Sequence, residues 1–132
     1  MRKLLFAILI LAPLMMVACN GVIGSTSLDK VPVDYVGKTN PLGVDAVAAG
    51  AEVFKANCAN CHGDTGHGDG IAGKGLSPAP KNLAELQSQV GDDYLFWRIN
   101  TGKEGTVMVS WKGILTEEQI WQIVSFLHTL KP

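Results

Sequence analysis

The sequence has few cysteines, few histidines and no run of basic residues. It contains three cysteines and three histidines in 132 residues, whereas a structural zinc site usually takes four such ligands in paired clusters. With a formal net charge of −1 and no basic stretch, the chain offers no support for nucleic-acid binding. No segment has the alternating apolar pattern of a β-strand, so we expect an all-α fold.

The long apolar run lies at the amino terminus and is short for a membrane span. Residues 4–18 are apolar, with Pro13 as the interruption, whereas a transmembrane helix needs about 20 residues. Arg2 and Lys3 precede this run, which is the order found in a secretory signal peptide. We therefore expect residues 1–18 to be a signal peptide, and an uncleaved membrane anchor is the alternative.

Cys19 follows this segment directly, in the sequence Met16-Val17-Ala18-Cys19. These residues resemble a bacterial lipobox, which implies lipidation of Cys19 and a membrane-anchored lipoprotein facing the periplasm or the cell exterior. Acylation would also remove an odd thiol, and several acyl chains would hold a small domain stably at a membrane. Cleavage further along the chain, without a lipid, is the alternative.

Residues 19–43 are expected to be a lipidated amino terminus and linker. From Asn20 to Gly43 the chain contains Gly, Ser, Thr and Pro without a sustained apolar period, which is typical of irregular structure. Part of this stretch could instead pack against the domain, and residues 32–36 are the candidates. The remaining residues, 44–132, are then the folded domain.

The stretch Cys58-Ala59-Asn60-Cys61-His62 carries the chemistry. A Cys-x-x-Cys-His sequence is typical of a c-type haem attachment site. Each thiol can form a thioether with one haem vinyl group, and His62 can then bind the iron as the proximal ligand. A redox-active dithiol would be expected near a βαβ pattern, which is absent from the sequence. We therefore predict one covalently bound haem c.

Met108 is the candidate for the second axial position of the iron. Met/His ligation is the arrangement of electron-transfer haems and raises the potential. Met108 lies in a predicted loop, not on an apolar helix face, and the rival ligands are His67 and His128. His67 is so near His62 in sequence that it would have difficulty reaching the opposite haem face. The other methionines all lie in the predicted signal peptide: Met1, Met15 and Met16.

Apolar spacing and capping signals predict helices over residues 44–59 and from residue 92 to residue 100 or 101, with Gly102 as the stop. A short helix over residues 82–90 is also predicted. The last helix starts at Thr116, where a capping box is expected. Its apolar face consists of five residues: Ile120, Ile123, Val124, Leu127 and Leu130.

From residue 44 to residue 130 the chain resembles a class I, single-haem cytochrome c of the bacterial lipoprotein type. Gly50 and Phe54 lie four residues apart, with Cys58 four further on, as in the first helix of that family. Ile123 and Phe126 correspond to the last-helix positions that cross against them. The resemblance implies a small all-α cytochrome c fold, in which the amino- and carboxy-terminal helices cross around a covalently attached haem.

The resemblance also assigns roles around the iron. It implies that Met108 is the distal sulfur ligand, and that Pro78 or Pro80 supplies the carbonyl that orients the His62 imidazole. Trp111 resembles an aromatic residue that packs near the haem. Val109 departs from the family, in which many members have proline after the methionine.

The function implied is transfer of single electrons between respiratory or photosynthetic membrane partners outside the cytoplasm, without enzymatic activity of its own. A stably bound cytochrome subunit of a membrane quinol oxidoreductase or oxidase complex is the alternative. A third hypothesis, less favoured, is a haem enzyme or gas sensor in which Met108 is displaced from the iron.

Overall fold

The computed structural model describes residues 28–132. The predicted signal peptide and Cys19 therefore lie outside the described residues. Within residues 28–132 there is no β-strand, and an isolated bridge between Lys112 and Leu115 is the one extended pairing. The all-α prediction is confirmed by the five helices: α1 (Ala46–Asn57), α2 (Ala59–His62), α3 (Leu83–Leu86), α4 (Asp92–Thr101) and α5 (Glu117–Leu127).

Helices α1 and α5 cross at Gly50, as the resemblance implied. Gly50 is buried, and a Cβ atom at this position would overlap the backbone carbonyl of Gln122. One turn away, the rings of Phe54 and Phe126 pack with their centroids 5.0 Å apart. The missing side chain of Gly50 thus allows the close approach that brings these aromatic rings into contact.

The predicted capping box begins α5. The Thr116 hydroxyl accepts a hydrogen bond from the Gln119 backbone N–H at 3.1 Å, and the Gln119 side chain accepts one from the Thr116 N–H at 2.9 Å. The helix buries more of its surface than its apolar spacing predicted, because Trp121 is also buried. Its ring stacks on Phe96 of α4, with centroids 4.2 Å apart, and so joins α4 to α5.

Two helices are shorter than predicted. Helix α1 ends at Asn57 and does not continue to residue 59, because the chain turns at Cys58 and starts the separate helix α2. Helix α3 spans four residues where residues 82–90 were expected, and its first turn is capped by the Asn82 side chain. Helix α4 ends at Thr101, and Gly102, with a φ of 70°, stops it as predicted.

Residues 28–43, which we call the strap, lie against the helices. The Asn40 side chain donates to the Trp121 carbonyl at 3.1 Å and to the Ser125 hydroxyl at 2.8 Å, both on α5. Its backbone N–H donates to Asp92 at the start of α4, at 2.8 Å. The described part of the predicted linker, residues 28–43, is therefore not a free tether. It follows the alternative that part of this stretch packs on the domain.

Candidate haem-binding site

The Cys-x-x-Cys-His motif occupies the junction of α1 and α2. Cys58 caps the end of α1, with its N–H donating to the Phe54 carbonyl at 2.7 Å. Its own carbonyl accepts from the Cys61 N–H at 3.1 Å and from the His62 N–H at 2.9 Å. Because side chains three residues apart lie on the same side of a helical turn, the two thiols share a face. Both thiols are free and half-buried.

The electrostatics of Cys58 do not suit a redox-active thiol. Burial, together with a smaller effect of the neighbouring Cys61, raises the pKa of the Cys58 thiol to about 12. A nucleophilic or redox-active cysteine instead needs a lowered pKa, so that the thiolate is present at neutral pH. Cys58 is thus a neutral, half-buried thiol, consistent with a thioether attachment point.

His62 is oriented by a backbone carbonyl, but not by that of either predicted proline. The carbonyl of Lys81, the residue after Pro80, lies 3.2 Å from His62 Nδ1. Since a carbonyl can only accept, this hydrogen bond requires the proton on Nδ1 and leaves Nε2 free to bind a metal. The expectation of Pro78 or Pro80 was wrong because spacing along the chain does not determine which carbonyl of an extended segment faces the ring.

Burial also lowers the pKa of His62, although the hydrogen bond to Lys81 acts in the opposite direction. A lowered pKa favours the neutral imidazole, which is the form that binds metals. The ring is thus held in the correct protonation state and tautomer for an axial ligand. Such an outer hydrogen bond commonly fixes the orientation of a metal-binding histidine.

A glycine-rich loop, residues 63–75, packs on the motif backbone, a role that the sequence analysis missed. Gly70 and Gly73 lie so close to it that added Cβ atoms would overlap motif carbonyls, including that of Ala59 at 2.6 Å. The Ala72 N–H donates to the Asn60 carbonyl at 2.9 Å, and Gly68 N–H to the His62 carbonyl at 2.8 Å. The clustered glycines were the available signal, since close backbone packing favours residues without a side chain.

Met108 lies half-buried on a loop that follows α4. Its carbonyl accepts from the Lys103 N–H at 2.9 Å, and its N–H donates to the Thr106 hydroxyl at 3.1 Å. Within residues 28–132 no hydrogen bond joins Met108 to the motif, so its pairing with His62 across a haem stays a prediction.

The two rival histidines have other partners. His67 is exposed, with its Nδ1 2.8 Å from the Thr65 hydroxyl. His128 is exposed at the end of α5, where its Nε2 lies 2.7 Å from Asp92. His128 therefore lies at the surface, paired with Asp92.

The available residues fit a covalently bound haem. They provide two half-buried thiols on one helical turn, an imidazole with one free ring nitrogen and a half-buried thioether on a second loop. Trp111, the predicted aromatic neighbour, is half-buried and packs against the apolar core. Apolar side chains in the glycine-rich loop and in the loop of Met108 are largely exposed, with exposed fractions of 80% for Ile71, 63% for Val107 and 60% for Val109.

The small helical fold and the Cys-x-x-Cys-His motif together define a c-type cytochrome domain. Residues 45–127 match the model of the family described as cytochrome C oxidase, cbb3-type, subunit III, and the chain belongs to this family. The matched range contains all five helices, the motif and Met108.

Curated relatives are also named as subunits of cbb3-type cytochrome c oxidase. The chain is 31% identical over 119 residues to the cbb3-type cytochrome c oxidase subunit FixP of Azorhizobium caulinodans, covering 87% of this chain and 38% of the relative. It is 33% identical over 118 residues to subunit CcoP of Azospirillum sp., covering 84% of this chain and 38% of the relative. The chain thus spans well under half the length of these proteins.

A solved structure is similar in fold. A chain of the Kuenenia stuttgartiensis reducing HAO-like protein complex aligns with a TM-score of 0.60 and 21% identity, covering 83% of this chain and 54% of that chain. At this level of identity the likeness concerns the fold. Among the described residues, 28–132, no helix has the length and apolar character needed to cross a bilayer.

Proposed function

We propose that this chain is a single-haem c-type cytochrome that transfers electrons as a bound subunit of a membrane oxidase complex. The observation that carries this proposal is the family match over residues 45–127, which includes the whole helical body and the motif. The relatives are named as subunits of cbb3-type cytochrome c oxidase, which supports the subunit alternative better than a freely diffusing carrier.

In this proposal each site residue has a separate role. Cys58 and Cys61 would hold the porphyrin through thioethers, and His62 and Met108 would bind the iron. When bound, the haem supplies one-electron exchange between ferric and ferrous iron, and Met/His ligation raises its potential. With His62 and Met108 both bound to the iron, small molecules would have little access to it, so the chain is proposed to have no enzymatic activity of its own.

A diffusing carrier is the second candidate. Both the bound subunit and the carrier need a surface that contacts a partner, and the exposed apolar residues favour such a surface. Ile71 follows the glycine that packs on the motif, and Val107 and Val109 flank Met108. Brief redox encounters typically bury less than about 1,200 Å² in total. A subunit interface is larger and persists, so the two candidates differ in the lifetime of the complex.

We also propose that the chain is held at a membrane by acylation of Cys19, after removal of residues 1–18. The domain, residues 44–132, would then face the periplasm or the cell exterior, close to redox partners in the same membrane. The support is the lipobox-like sequence and the apolar run before it. The strap would follow the acylated terminus after a short stretch, residues 20–27.

An intact mass and a visible spectrum of the purified full-length protein test the cofactor and the lipid together. We expect the mass of a chain starting at Cys19 with one haem and acyl groups, and a ferric far-red band typical of a sulfur ligand. Cys58→Ala/Cys61→Ala should lose the haem mass, and Cys19→Ser should lose the acyl mass. A colourless wild-type protein, made with a working haem-attachment system, would contradict the proposal.

Extraction in mild detergent separates the subunit from the carrier. A bound subunit should elute in size-exclusion chromatography with the other oxidase subunits at every salt concentration tested. A carrier should separate from them as ionic strength rises, since exposed charges are then screened. Elution of the protein alone at low salt would argue against the subunit.

A further inference from the structure

Two strap side chains contact residues at the end of α4 and just after it, where the segment carrying Met108 begins. We call residues 102–112 the Met108 loop. The Asp29 carboxylate accepts from the Arg98 guanidinium at 2.6 Å and from the Lys103 ammonium group. The Tyr35 hydroxyl accepts from the Asn100 side-chain amide at 2.8 Å. Both contacts join the strap to the end of α4, where the loop begins.

The partners of Asp29 bind the start of the Met108 loop. The Lys103 N–H donates to the Met108 carbonyl at 2.9 Å, and the Arg98 side chain donates to the Gly102 carbonyl at 3.0 Å. Gly102 itself packs on the loop, since a Cβ there would lie 2.5 Å from the Met108 carbonyl oxygen. A shift of Lys103 or Gly102 would therefore move the Met108 backbone directly.

Asn100, the partner of Tyr35, binds the carboxy-terminal half of the loop. The Asn100 carbonyl accepts from the Ser110 hydroxyl at 2.7 Å and from the Lys112 N–H at 3.0 Å. Tyr35 also packs against the apolar core, and its ring lies 6.2 Å from that of Phe96. The strap thus contacts both ends of the segment that presents Met108.

We propose that Asp29 and Tyr35 are positioning residues that anchor the Met108 loop and hold Met108 at its place in the site. The link to the iron rests on the proposed ligation by Met108. The anchoring of the loop does not depend on that ligation. It assigns to the strap a role in the redox site, in addition to any role in connecting the domain to a membrane.

The charge on Asp29 is maintained at neutral pH. The hydrogen bond from Lys103 lowers the pKa of this carboxyl, and the positive charges of Lys103 and Arg98 act in the same direction. Because the carboxylate lies between two cations that each bind the loop region, Asp29→Asn weakens both contacts at once.

Asn40 provides the matched control. It holds the strap to α5 and to the start of α4, and none of its partners belongs to the Met108 loop. Asn40→Ala removes the two side-chain hydrogen bonds to α5 and keeps the backbone one to Asp92. It therefore loosens the strap without changing the contacts to Arg98, Lys103 or Asn100. A general loss of strap packing and a specific loss of loop anchoring can then be distinguished.

The experiment compares the wild-type holoprotein with Asp29→Asn/Tyr35→Phe and with Asn40→Ala. The first readout is amide hydrogen exchange in residues 102–112, and the second is the rate at which added imidazole replaces the sulfur ligand of ferric iron. Both processes require local opening of the loop. We expect the double variant to be about tenfold faster in both, as the loss of two or three hydrogen bonds allows, and Asn40→Ala to be within about twofold of the wild type.

Equal rates in the double variant and the wild type would overturn the anchoring. So would an equal acceleration in Asn40→Ala, because the effect would then be general. If the wild-type spectrum lacks a sulfur signature, ligation by Met108 fails as a separate proposal. The exchange rates of the loop amides still decide the anchoring in that case.

Discussion

The His62 imidazole shows how a single side chain is prepared for a metal by its surroundings. Its Nδ1 faces the Lys81 carbonyl at 3.2 Å, and burial lowers its pKa. Together these contacts select the neutral tautomer with Nε2 available. The described hydrogen bonds of Met108 are those of its backbone, with the Lys103 N–H and the Thr106 hydroxyl. The two proposed ligands are therefore positioned by different means.

Replacing Met108 should change the iron's properties and leave haem attachment intact. In Met108→Ala we expect loss of the far-red sulfur band and rapid binding of carbon monoxide to the reduced protein. The potential should fall by a substantial part of the roughly 0.8 V range that axial ligands control. Spectroscopy and redox titration measure these changes. Glu104→Gln, at an exposed site in the same loop, is the control, and a sulfur band retained in Met108→Ala would exclude this ligand.

The crossing of α1 and α5 depends on a backbone contact that no side chain could replace. Gly50 lies against the carbonyl of Gln122, and the adjacent Phe54 and Phe126 rings depend on that close approach. In an isolated helix, alanine would be more favourable than glycine by about 1 kcal/mol. At this site the steric overlap opposes that gain, because the atom that the new Cβ meets is backbone and cannot rotate away.

Gly50→Ala should destabilise the holoprotein in spite of the better helix propensity. We expect the free energy of unfolding to fall by about 1–3 kcal/mol, the usual cost of forcing extra atoms into packed structure. Denaturant unfolding measures this change. Gly43→Ala makes the same chemical change where nothing lies within 4 Å of the new atom, and it should be nearly neutral. Equal stabilities for the two variants would show that the crossing tolerates a side chain.

The ion pairs of the strap should give a pH-dependent contribution to stability. The folded-state pKa of Asp29 lies below its ordinary value because of Lys103 and Arg98. The contribution of Asp29 to folding stability is therefore fully present above the unfolded-state pKa of about 3.9. This contribution is lost as the pH falls through the lower folded-state pKa. The Asp29 side chain is 44% exposed, so solvent screening keeps this contribution small.

Asp29→Asn should accordingly cost about 0.2–1 kcal/mol of unfolding free energy at neutral pH. It should cost almost nothing at a pH well below the folded-state pKa, where the wild-type carboxyl is also uncharged. Urea unfolding across this pH range tests whether the cost of Asp29→Asn in unfolding free energy falls as the pH is lowered. Asp34→Asn is a control on the same strap, and a cost for Asp29→Asn that does not vary with pH would contradict the ion-pair account.

The molecule as a whole has a small apolar core. The buried hydrophobic residues come mainly from α4 and α5, with Phe54 contributed by α1. A domain of fewer than 90 residues buries a modest fraction of its surface and is marginally stable without a further constraint. A covalently held porphyrin would add a large apolar body and two bonds between the chain and that body.

We therefore expect the chain without haem to have little fixed tertiary structure. Cys58→Ala/Cys61→Ala, purified without cofactor, should lose near-ultraviolet circular dichroism and show no cooperative thermal transition. A matched control is His67→Ala, an exposed histidine near the motif that should leave both properties intact. A cooperatively folded apo form would mean that the protein core alone is sufficient.

Much of the fold and of the candidate site could be predicted from local patterns. The Cys-x-x-Cys-His motif, the Thr116 capping box and the stop at Gly102 each depend on residues within a few positions of one another. The sequence also singled out Met108, since the other methionines precede the domain. For the motif, the capping box and the helix stop the physical cause is short in range, so the signal is present in consecutive residues. Met108 was singled out by elimination instead, and its ligation of the iron stays a prediction.

The tertiary structure alone decided the contacts between distant segments. Lys81 rather than Pro78 or Pro80 faces His62, Asp29 pairs with Arg98 and Lys103, and Gly70 packs on the motif. Backbone carbonyls are chemically alike along the chain, and an Asp in a polar stretch is ordinary. Such groups acquire their roles when folding brings segments together, because hydrogen bonds and close packing depend on distance in space and not on separation in sequence.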